Sequence, residues 1–92
     1  MNTDRMERIR RRLTDALHPV RLDLEDDSAR HAGHAGAASG AGHFNAVIVS
    51  EAFAGKRLLE RHRMVYAALG DLMNTEIHAF SMECRSPDEV RD

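Results

Sequence analysis

The chain has 92 residues, 30% of them charged and 4% aromatic, one cysteine, and a formal net charge of −2. That length supports one domain, residues 1–92, whose folding buries roughly 60–65% of the unfolded surface, so a deep substrate cavity has little room. Lone Cys84 excludes an internal disulfide framework, a cysteine-rich zinc site and an iron–sulfur cluster held by this chain alone, and the charge balance excludes a general polyanion binder.

Thr3 reads as an N-cap, with Asp4 in the first turn of a helix over 3–17. Met6, Ile9, Leu13 and Leu17 recur at helical spacing, with Arg8, Arg10, Arg11, Arg12 and Asp15 on the opposite faces. Pro19 stops this helix. The mixed charges before residue 12 lack the apolar stretch of a secretory signal, and no run approaches the ~20 apolar residues that span a bilayer. A soluble protein of the reducing cytoplasm, not a membrane protein, is expected.

Val20, Leu22 and Leu24 alternate with Arg21, Asp23 and Glu25, which predicts a half-buried strand. Residues 27–42 turn to Ala, Gly, Ser and His and read as a long flexible loop. His43–Ser50 carries Phe44, Val47, Ile48 and Val49 on both faces, as a central strand does. After a turn at Phe53 and Gly55, residues 56–73 read as the longest helix. Leu58, His62, Val65, Leu69 and Leu72 form its apolar stripe. Residues 76–85 alternate again, and Ser86-Pro87-Asp88-Glu89 opens a short last helix. The order is α-β-β-α-β-α. It predicts an α/β fold with a three-stranded mixed sheet: a first hairpin, then a crossover to a parallel third strand, with helices on one face.

Histidines are the candidate chemistry. His31, His34 and His43 are spaced H-x2-H-x8-H, which admits a zinc site but matches no stringent zinc signature and also suits a tolerant loop. His62 lies on the apolar stripe and reads as a core histidine, while Arg61 and Arg63 point away from it. His78 opens the third strand, on the side of Phe80, Met82 and Cys84. Cys84 reads as a packing residue rather than a nucleophile. No Ser/His/Asp or Cys/His set and no phosphate-binding glycine loop occurs, so a non-enzymatic binding role is expected.

At Phe53-Ala54-Gly55-Lys56, followed by Arg61-His62-Arg63-Met64-Val65-Tyr66, the chain strongly resembles the BolA family. His43-Phe44 with Val47–Ser50, Ile77-His78-Ala79-Phe80 and Pro87-Asp88-Glu89 extend the resemblance over most of the chain, least in the loop. The resemblance implies a class II KH-like fold and a monothiol glutaredoxin as partner, sharing a [2Fe–2S] cluster or forming an apo complex. The role implied is iron–sulfur handling or iron sensing. A glutaredoxin cysteine and glutathione would supply two sulfurs, leaving two positions for this chain, and two histidines on one iron are accepted in Rieske centres. By resemblance one ligand is His78. The other comes from the loop, where His31 matches best and His34 could substitute; His43 is a reserve candidate. Alone, the chain would be a monomer or weak homodimer without cofactor. Some bacterial members are described as DNA-binding regulators of morphology and stress genes. On that alternative Lys56, Arg57, Arg61 and Arg63 would contact phosphate.

Overall fold

A computed structural model describes residues 2–28 and 42–90, with side chains from Asp4 onward. Asn2–Leu17 form α1, Arg21–Asp26 β1 and Gly42–Val49 β2. A 3-10 turn, Glu51–Phe53, leads to Leu58–Leu69 (α2) and Leu72–Thr75 (α3). Ile77–Arg85 form β3, and a second 3-10 turn covers Pro87–Glu89.

The sheet order is β1-β2-β3, with β2 central as its apolar residues on both faces predict. β1 runs antiparallel to β2, and β3 runs parallel to it after the helical crossover. Register places Leu22, Ile48 and Cys84 in one row and Leu24, Ala46 and Met82 in the next. These rows point toward the helices. Ile9, Leu13 and Leu17 of α1, Val65 and Leu69 of α2, and Leu72 of α3 complete one core with Phe44 and Phe53. The other sheet face carries Arg21, Asp23, Glu25, Asn45 and Glu83, which explains the alternation read in β1.

Buried Ser50 knots the end of this core. Its hydroxyl donates to Leu17 O at 2.5 Å and accepts Ala52 N–H, and its own N–H donates to Arg85 O. α1 therefore stops against the sheet as well as at Pro19. His18, in the left-handed region at φ 45°, turns the chain and donates its N–H to Thr14 O.

Several expectations are corrected. Helix α1 already includes Asn2, so Thr3 lies inside it, and α1 rather than the crossover helix is the longest. Val20 lies outside β1 and is 68% exposed, although its N–H still reaches Val49 O. The single helix over 56–73 is two helices. Gly70, at φ 54°, breaks them, and its N–H closes α2 on Tyr66 O. The buried stripe of α2 is also rotated: Arg61, Val65 and Leu69 face inward, whereas Leu58 is 63% exposed and His62 half-buried. The reason is Arg61, whose guanidinium has buried partners that no hydrophobic count anticipates.

Candidate functional site

The sequence places histidines at the start of β2 and β3, and parallel pairing brings these ends together. Gly42 is opposite Ile77 and His43 opposite Ala79, so His78 is the surplus residue of a β-bulge. Core packing demands this bulge. Ile77 is 3% exposed, and Phe80, Met82 and Cys84 also face the core, which strict alternation from Ile77 forbids. His78 is therefore exposed and not aligned with Phe80, contrary to the alternation read in the sequence. Its ring lies 5.0 Å from that of His43, centroid to centroid, with planes tilted by 56°.

Neighbouring main chain holds this pair. Gly42 N–H donates to Glu76 O, His43 N–H to Ser28 Oγ, and Asp27 N–H to His43 O. Gly42 permits the close approach, because a Cβ there would lie 2.8 Å from both the Phe44 ring and Ser28 Oγ.

Two imidazoles on adjoining strands, one exposed and one half-buried, supply a two-nitrogen donor set. Among the described residues, no group of three or more His, Cys, Asp or Glu side chains could hold a metal ion. His31 and His34 lie outside the described residues. Cys84 does not belong to the histidine pair: it is buried in the core, and desolvation pushes its thiol up to about 11 against a smaller opposing effect of Arg61. This is the environment of a packing residue.

The four candidate phosphate contacts do not stay together. Lys56, Arg57 and Arg63 are exposed around the start of α2. Arg61, 8% exposed, is turned inward. Its Nη1 and Nη2 donate to the two oxygens of Glu89 at 2.6 and 2.9 Å, Nη1 also donates to Cys84 O, and Nε donates to Lys56 O. Hydrogen bonds from Arg61, then that from Ser86 N–H, hold the Glu89 carboxyl down at about 2. With four of its five N–H groups engaged inside the fold, Arg61 is a clasp between α2, β3 and the last turn. A groove of about 530 Å³ runs beside it, lined by Leu58, His62, Met82 and Arg85 among others.

Sequence reasoning missed this clasp and the His43–His78 contact. The Ser86-Pro87-Asp88-Glu89 turn was legible, but nothing in the spacing of Arg61 and Glu89 couples them. For the histidines the usable signal was parallel pairing of β2 with β3, which puts both strand starts at one end of the sheet.

Comparison with known proteins agrees with this architecture. The family model described as BolA-like protein matches residues 13–89. SufE-like protein 1, chloroplastic/mitochondrial, of Arabidopsis thaliana is 47% identical over 88 residues, covering 90% of this chain and 24% of that protein. The DNA-binding transcriptional regulator BolA of Escherichia coli K12 is 43% identical over 76 residues, covering 83% of this chain and 70% of that one. Among solved structures, the BolA domain of SufE1 from Arabidopsis thaliana superposes with a TM-score of 0.82 at 45% identity, covering 94% of this chain and 95% of that one. BolA1 from the same plant gives 0.81 at 42% identity, with the same coverage. The chain thus spans from about a quarter to 70% of these two curated relatives. No helix among the described residues is long and apolar enough to cross a membrane. With the family model matched over most of its length and near-complete structural counterparts among BolA domains, the chain belongs to the BolA family.

Proposed function

We propose that this chain is a non-enzymatic binding protein that lends histidine ligands to a [2Fe–2S] cluster shared with a monothiol glutaredoxin and its glutathione. The observation that carries the reading is the His43–His78 pair, two imidazoles 5.0 Å apart with no third donor gathered around them among the described residues. Two nitrogens leave a [2Fe–2S] cluster two thiolates short, which a partner cysteine and glutathione supply. The site is then complete only in the heterodimer. His78 is one ligand. His43 is favoured as the second among the described residues, which promotes it over its reserve standing, and His31 and His34 are its competitors. When bound, the cluster supplies one-electron redox chemistry or exchangeable iron and sulfide. The chain's own part is to present imidazole nitrogens where β2 and β3 begin.

The test mixes the protein with a monothiol glutaredoxin, glutathione, ferrous iron and sulfide. Size-exclusion chromatography should show a one-to-one complex whose visible circular dichroism differs from that of the glutaredoxin alone. His78→Ala should abolish that difference, and His43→Ala, His31→Ala and His34→Ala identify the second ligand. An unaltered spectrum in His78→Ala removes this residue from the site.

A second reading, DNA binding, is favoured by the name of the Escherichia coli relative and by exposed Lys56, Arg57 and Arg63 around the start of α2. Without Arg61 the patch is reduced to three cations. Binding should weaken steeply with salt and on Lys56→Ala with Arg63→Ala. Absence of binding at low salt ends this reading.

A further inference from the structure

We infer that Glu76 is the positioning residue of the His43–His78 pair, gripped by the arginine row of α1 so that the bulge keeps both rings together. The inference rests on the shared-cluster reading for its chemistry, and on geometry alone for the positioning.

Glu76 stands where α3 ends and β3 begins. Its N–H closes α3 on Leu72 O at 2.9 Å, and its carbonyl accepts Gly42 N–H at 3.0 Å. One main-chain unit therefore joins the residue preceding His43 to the residue two before His78. Its carboxylate is held from α1. Arg8 hydrogen-bonds to Oε1, and Arg5 Nε lies 3.8 Å from the same oxygen. Arg12, on the same stripe of α1, continues the row, with Nη1 donating to Leu69 O and Nη2 to Asp71 Oδ1, both at 3.0 Å. These arginines, of which the sequence placed Arg8 and Arg12 opposite the apolar stripe, span the whole connection that delivers His78.

The bulge follows at once. Ile77 is fixed in the core, His78 is surplus, and Ala79 resumes pairing opposite His43. A bulge re-aims a side chain, but it is also a place where the ladder is locally interrupted. Ile77 anchors its inner side. Glu76 anchors its start, because the carboxylate, the carbonyl and the N–H of this one residue are engaged with three different segments. Release of the carboxylate leaves the strand start held by its main-chain bonds and the buried Ile77 side chain alone. His78 then samples orientations away from His43. Surrounding groups that orient metal-binding imidazoles commonly tune affinity by about 10–100-fold.

The variants are Glu76→Ala and Arg8→Ala, which break the grip from opposite ends, with Arg10→Ala as control, since Arg10 pairs with Glu7 on its own helix. In the isolated chain, proton NMR with selectively labelled histidine reads the cross-peaks between the His43 and His78 rings. Amide protection in β2 reports that the fold is intact. In the glutaredoxin complex, cluster loss is timed by visible absorbance. Both variants should lose the ring cross-peaks with β2 protection kept, and the cluster lifetime should fall about 10-fold or more; Arg10→Ala should do neither. Ring cross-peaks that survive Glu76→Ala and Arg8→Ala overturn the positioning role. If the cross-peaks vanish in both variants but the wild-type complex carries no histidine-ligated cluster, the shared-cluster reading is overturned and the positioning role stands.

Discussion

Arg61→Leu is the substitution that most sharply separates a buried clasp from a surface charge. The wild-type guanidinium satisfies the Cys84 carbonyl, which is buried, and the Lys56 carbonyl, which is partly so, while forming a two-toothed pair with Glu89 and lying 5.9 Å from the Phe53 ring centroid. Leucine fills part of the space and satisfies none of these groups. A buried acceptor left without its partner costs about 1–3 kcal/mol. The Lys56 carbonyl and Glu89, 42% exposed along its side chain, can recover water, so they add less. The expected loss is about 2–4 kcal/mol, a large fraction of the stability of a small domain. Urea unfolding followed by far-ultraviolet circular dichroism measures it. Arg63→Ala, on the exposed side of the same helix, should stay within about 0.5 kcal/mol of wild type. Arg61→Lys should recover less than half of the loss, because an ammonium cannot form the paired contact. Equal urea midpoints for Arg61→Leu and Arg63→Ala would refute the clasp.

The clasp also sets an acid limit. Glu89 falls from 4.5 to about 2 in the folded chain, so its stabilisation is present above pH about 4.5 and is lost as pH drops toward 2, which carboxyl carbon shifts and acid unfolding will follow. Gly42→Ala forces a Cβ to 2.8 Å from the buried Phe44 ring and should cost about 1–3 kcal/mol while shifting the His43 resonances. Gly55→Ala, with open space but φ 74°, should cost only about 1–2 kcal/mol of backbone strain and leave His43 unmoved. Cys84, buried with its thiol at about 11, should react with iodoacetamide at neutral pH far more slowly in the native than in the urea-unfolded chain, and Cys84→Ala should leave the cluster spectrum of the glutaredoxin complex unchanged.

The sheet was legible because its signals are local and redundant. Alternation in β1, apolarity on both faces of β2, and a helix too long for a hairpin between β2 and β3 each specify their part, and together they fix order and direction. What stayed hidden depends on partners distant in sequence. Arg61 reads as one more charge beside His62 until Glu89 and the Cys84 carbonyl are brought to it. Arg8 and Arg12 of α1 read only as charges opposite the apolar stripe until Leu69 O, Asp71 and Glu76 arrive. His78 reads as a regular strand residue, because alternation carries no sign of a bulge whose cause is the simultaneous burial of Ile77 and Cys84. His78 was singled out by its motif, whereas its contact with His43 needed the fold.

The shared cluster stands or falls on the atoms bound to iron. Pulsed electron paramagnetic resonance of the reduced complex with a monothiol glutaredoxin detects nitrogen ligands directly. Histidine ligation predicts strongly coupled nitrogen on the cluster, altered when histidine is labelled with nitrogen-15 in this chain alone and reduced from two nitrogens to one in His78→Ala. A cluster with sulfur ligands only, or nitrogen couplings unchanged in His78→Ala, would contradict it.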